Sequence, residues 1–82
     1  MPYSSFDRVF DRITVNPQQM NGQPCIRGMR LTVRRVVEAV SVYEDRAELF
    51  REFPEIDEAD VKQALEFAAA NLEDRVIDVR MA

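Results

Sequence analysis

Apolar residues recur along this chain at spacings that change from one stretch to the next. Phe6, Val9, Phe10 and Ile13 stand at i, i+3, i+4 and i+7 behind Ser4 and Ser5, which fits either a short amphipathic helix or a loosely packed N-terminal arm over residues 1–11. "RITV" (residues 12–15) then reads as extended chain, Asn16-Pro17 and Asn21-Gly22 are turn pairs, and "PCIR" (residues 24–27) is extended again. A small hairpin-like element is therefore expected. After Gly28, Thr32 is an N-cap candidate for a helix carrying Val33, Val36, Val37 and Val40 on one face. Valine is a poor helix former, so burial of that face must hold the helix.

The second half is helical by the same test. Asp45 with Glu48 three residues later predicts an acidic capping box opening a short helix with Leu49, Phe50 and Phe53, which Pro54 stops. Asp57 is the next N-cap candidate, and Val61, Ala64, Leu65, Ala68 and Leu72 repeat through a long helix over residues 58–71. The break "FPEID" (residues 53–57) is short enough to set the last two helices as a helix-turn-helix. In the tail, Ile77, Val79 and Met81 alternate with Asp78 and Arg80, as in an exposed strand. The expected architecture is a mainly all-α single domain over residues 1–82, with a core at 12–72 and a tail at 73–82.

Length limits what such a domain can do. A chain of 82 residues hides only about 60% of the surface it exposes when unfolded, so one modest core is expected and a deep private active-site cavity is not. Forty-six per cent hydrophobic and 32% charged residues place it among folded rather than disordered chains. No run of about 18 apolar residues exists and the N-terminus lacks a basic-then-apolar leader pattern, so no membrane contact and a cytoplasmic location are expected. The single cysteine, Cys25, builds no internal disulfide and is most simply a small buried hydrophobe.

The net charge of −4 averages two unlike halves. Residues 1–35 hold six arginines against Asp7 and Asp11, whereas residues 36–82 hold five basic side chains against thirteen acidic ones. A basic face can approach nucleic acid and an acidic one a basic protein; alternatively, the halves attract each other, within one chain or across a dimer.

Catalytic parts are scarce. The absence of histidine removes the commonest general base and metal ligand, leaves Cys25 without an imidazole, and leaves no cysteine–histidine set for zinc. Gly22 and Gly28 fit no phosphate-loop spacing, and the only lysine, Lys62, is far from both. Asp57, Glu58 and Asp60 admit a metal-dependent hydrolase, but acids complementing a helix N-terminus explain them better. Neither enzymatic activity nor a cofactor is expected.

Taken together, Arg12-Ile13, Asn16-Pro17, Asn21-Gly22, "QPCIRGMRLTV" (23–33), "EFP" (52–54) and "DEADVKQALEFAA" (57–69) resemble domain-of-unknown-function family 433. The likeness runs from about residue 12 to residue 70, and its specificity lies in the distance between the arginine-glycine-x-arginine element and the later proline break. Met29 replaces the family's usual threonine and Thr32 a common proline. Tyr43 stands near a usual glycine, where a left-handed backbone would cost tyrosine on the order of 1 kcal/mol. The resemblance implies a homeodomain-like three-helix fold and an antitoxin that neutralises a neighbouring PIN-like nuclease toxin, with operator DNA as a second partner. A homodimer, which would double any basic patch, is the expected state of the chain.

In a helix-turn-helix the second helix reads base edges. Here its exposed face offers Lys62 and Gln63, but also Glu66 and Glu73, which face phosphates unfavourably. Arg27, Arg30, Arg34 and Arg35 are better candidate DNA contacts, although arginines in a tight turn also serve to tie down carbonyls or a helix end. The acidic, apolar-tipped tail, with Glu73, Val76, Ile77, Val79 and Met81, suits the basic RNA-holding groove of a toxin nuclease; a solvated helix end is the plainer reading. Two other functions fit the same residues: a stand-alone helix-turn-helix DNA-binding regulator, and a structural dimerisation module that binds no DNA.

Overall fold

The two extended stretches pair. β1 (Ile13–Thr14) runs antiparallel to β2 (Cys25–Ile26), with Ile13 opposite Ile26 and Thr14 opposite Cys25. This is a computed structural model that describes residues 10–72. The expected arm or helix through Phe6 and Val9, and the tail positions Glu73, Val76, Ile77, Val79 and Met81, lie outside the described residues.

Both bends of the hairpin region use left-handed backbone. Asn16 Oδ1 accepts from the Gln18 N–H, and the chain then turns through a 3-10 segment, Met20–Gly22, with φ of 51°, 59° and 77° at Met20, Asn21 and Gly22. Asparagine and glycine are the residues that enter this region most readily. Four residues on, Met29 N–H donates to the Ile26 carbonyl at 2.8 Å, around Arg27 and Gly28 at φ 46° and 74°. Two positive φ values in succession define a primed turn, which reverses β2 and returns the chain to a bridge between Cys25 and Thr32.

Three helices follow, each opened by a side-chain cap. In α1 (Val33–Val42), Thr32 Oγ1 accepts from the Arg35 N–H at 3.1 Å. The residue that caps its C-terminus, Tyr43, has φ −100°, so no left-handed conformation is demanded there. In α2 (Arg46–Glu52), Asp45 accepts from the nearer Ala47 N–H at 3.0 Å. The reciprocal box is found instead at α3 (Glu58–Ala70), where Asp57 accepts from the Asp60 N–H at 2.9 Å and Asp60 from the Asp57 N–H at 3.1 Å.

α1 packs chiefly on α3. The core comprises Ile26 from the hairpin, Val33, Val36 and Ala39 from α1, Leu49 from α2, Ile56 from the break, and Val61 and Ala64 from α3. Val37 and Val40 of the expected valine face are only half-buried, because the buried face of α1 turns toward Ala39. Each fully buried valine, leucine or isoleucine contributes about 1.5–3 kcal/mol, which is how a valine-rich helix stays folded. The domain is mainly helical, three helices with a two-stranded hairpin laid against them. Among the described residues no helix is long and apolar enough to cross a membrane.

Candidate functional site

The arginines of the front half separate into two groups. Arg27, held in its left-handed turn, reaches across to α3: its Nε and Nη2 donate to the two carboxylate oxygens of Asp60 at 3.0 and 2.8 Å, and Nη2 also donates to the Glu55 carbonyl at 2.7 Å. Arg12, just before β1, donates to Asp60 at 2.8 Å and to Asp57 at 3.1 Å. The Asp60 side chain is wholly inaccessible to solvent. Its position explains both its burial and its reach, since it flanks Val61 and stands one turn before Ala64 on the inward face of α3.

The electrostatics follow from that geometry. Burial pushes the Asp60 carboxyl up, but hydrogen bonds from Arg27, Arg12 and the Asp57 N–H, together with the Arg27 charge, outweigh it and hold the group down at about 2. Pairing with Asp60 raises the pKa of both guanidiniums, against the opposing effect of their own desolvation. Gln63 belongs to the same junction: its Oε1 accepts from the Arg12 N–H at 3.0 Å and its Nε2 donates to Asp11 at 2.7 Å. The acid trio of the α3 start is therefore divided among cations, with Asp57 and Asp60 on Arg12 and Arg27 and Glu58 on Arg46. Among the described residues no group of three or more such side chains could hold a metal ion.

The second group faces solvent. Arg30, Arg34 and Arg35 border a shallow concavity of about 300 Å³ over Met20, Leu31 and Thr32, with Glu38 at one end. Arg30 is exposed and has no side-chain partner among the described residues. Arg34, 78% exposed, pairs with Glu38 at 3.2 Å, and Arg35 lies over the Phe53 ring, 5.3 Å from its centroid. An exposed pair one turn apart on a helix contributes only about 0.3–0.5 kcal/mol, so this face can exchange its bonds for those of a partner. On α3, Lys62 is bound to Glu66 at 2.7 Å.

Of the six cationic or amide positions singled out from the sequence, Arg30, Arg34 and Arg35 are brought together on one face. Lys62 is elsewhere on the surface, while Arg27 and the half-buried Gln63 are engaged at the Asp60 junction. Sequence reasoning passed over Arg12 as a contact and treated Asp60 as one of several dipole-complementing acids. The available signal was the place of Asp60 beside Val61 and four residues before Ala64, where a carboxylate interrupts an apolar stripe and so requires cations.

Residues 13–68 match the model of a family described as protein of unknown function, DUF433. No curated protein and no solved structure matches the chain.

Proposed function

Because the chain belongs to the DUF433 family, we propose that it is an antitoxin-like binding protein, which neutralises a PIN-like nuclease toxin by occupying it rather than by catalysis. The observation that carries this reading is the separation of exposed charge. Arg30, Arg34 and Arg35 outnumber Glu38 around one concavity, while Glu44, Glu48, Glu52 and Glu55, exposed along α2 and its flanks without ion-pair partners among the described residues, outnumber the exposed Arg51 there. Glu48 and Glu52, four residues apart on α2, repel by a few tenths of a kcal/mol, a penalty that a basic partner removes. A nuclease that holds RNA offers such a surface.

Operator DNA is the second reading, and the arginine face favours it. In a homeodomain-like helix-turn-helix, α3 would enter the major groove, but Gln63 is bound to Arg12 and Asp11 and Lys62 to Glu66. Phosphate contact through the arginine face, Arg30 and Arg35 foremost because Arg34 is paired with Glu38, fits better than base readout through α3.

Co-expression with the product of the adjacent reading frame tests the first reading. A nuclease-like neighbour is expected to copurify with the chain and lose activity, whereas a neighbour that stays active and elutes alone overturns it.

A further inference from the structure

A second concavity, of about 390 Å³, lies between the first turn of α1 and the last turn of α3, away from the Asp60 junction. Pro24, Val37, Phe67, Ala68 and Leu72 give it apolar walls, and Arg34 and Glu38 stand on its rim. Leu72 is 76% exposed, a large apolar side chain left in water beside an apolar cleft. The rim carries one cation and one anion four residues apart on the same helix. Such a rim has no net charge and selects neither a polyanion nor a strongly acidic or basic protein. It is, however, complementary to itself when turned around: across a two-fold axis, contact of residue i with residue j implies contact of j with i.

We infer that the groove between α1 and α3 is the face through which two copies of this chain associate, the Leu72 of each entering the groove of the other. Arg34 of each copy pairs with Glu38 of the other, so the exposed intrahelical pair is exchanged for two intermolecular pairs in a drier setting. The rest of the arginine face, Arg30 and Arg35, is outside the groove, and association presents it twice.

Sedimentation of the full chain across the micromolar range tests this. The wild type is expected to dimerise. Leu72→Asp weakens association by roughly thirtyfold without changing the circular dichroism spectrum, because this side chain is already mostly exposed. Arg34→Glu alone and Glu38→Arg alone each weaken it by about tenfold, since positions 34 and 38 then carry like charges across the axis. An equimolar mixture of the two variants recovers dimer, because every position 34 now meets a position 38 of opposite sign. That recovery separates a contact between copies from an intrahelical role. A wild type that remains monomeric, a Leu72→Asp chain that dimerises unchanged, or a mixture no tighter than its components overturns the proposal. So does a chain that dimerises only once cut after Leu72, which would give the groove to its own residues 73–82.

Discussion

Arg27 and Arg30 are three residues apart in one short loop, yet the first is tied to a buried carboxylate and the second stands unpaired at the surface among the described residues. Arg27 forks onto a carboxylate with no solvent exposure and adds a backbone carbonyl; Arg30 stands exposed with no side-chain partner among the described residues. The primed turn at Arg27 and Gly28 separates them by reversing the chain, so that one side chain points back across the hairpin toward α3 and the other toward the start of α1. Charge type and local sequence do not decide which role an arginine takes. The position of one buried aspartate does.

The harshest way to break this contrast is Asp60→Asn. It removes a buried charge while leaving two cations aimed at it, and breaking a buried pair of this kind costs about 3–5 kcal/mol. Because Arg12 and Arg27 each retain about a third or more of their exposure, the lower end is expected, about 3 kcal/mol, or roughly 15 °C in Tm for a domain of this size. Urea unfolding measures it. A loss below about 1 kcal/mol would mean that water serves the two guanidiniums as well as Asp60 does.

Arg27→Ala comes next, since it removes one of the two cations and leaves Asp60 to Arg12; about half the loss of Asp60→Asn is expected. Arg27→Gly separates the ion pair from the backbone. Both variants lose the fork, but glycine relieves the left-handed strain at φ 46°, on the order of 1 kcal/mol, and should be the more stable of the two. Equal stabilities would show that the turn stores no strain.

Acid provides a smaller and graded version of the same test. The Asp60 carboxyl is lowered from its ordinary 3.8 to about 2 in the folded chain, so its stabilisation is complete above 3.8 and is lost as the pH falls through about 2. The wild type should lose more stability across that window than Asp60→Asn, and the difference between their urea midpoints isolates this one group. Parallel curves would place the carboxylate outside the ion cluster in solution.

These tests bear on what could be read from one chain. Thr32, Asp45 and Asp57 were legible as caps, because a cap depends on side chains and N–H groups two or three residues away. The hairpin was legible from its turn pairs, and the helices from their periodicity. The Asp60 cluster was not, because Arg27 and Arg12 come to it from 33 and 48 residues away, and only the packing of the hairpin on α3 brings them there. The same packing gives Gln63, a candidate base contact, bonds to the Arg12 N–H and to Asp11 just before β1.

The exposed group should give the smallest stability effect and the clearest functional one. Arg30→Ala with Arg35→Ala touches neither Asp60 nor the groove between α1 and α3. Arg35 gives up a cation–π contact over Phe53, worth about 0.5 kcal/mol at an exposed site, and Arg30 gives up no side-chain partner among the described residues, so stability should stay within about 0.5 kcal/mol of the wild type. If this face holds phosphates of the upstream DNA, a shift assay repeated across salt concentrations should show weaker binding and a salt slope shallower by about two, one released counterion for each lost contact. Alanine at Arg12 should do the opposite, lowering stability while leaving the slope unchanged in the fraction that folds. An unchanged slope in the Arg30 and Arg35 variant would remove this face from DNA binding. The function of the domain would then rest on the exposed glutamates of α2 and its flanks and on a basic protein partner.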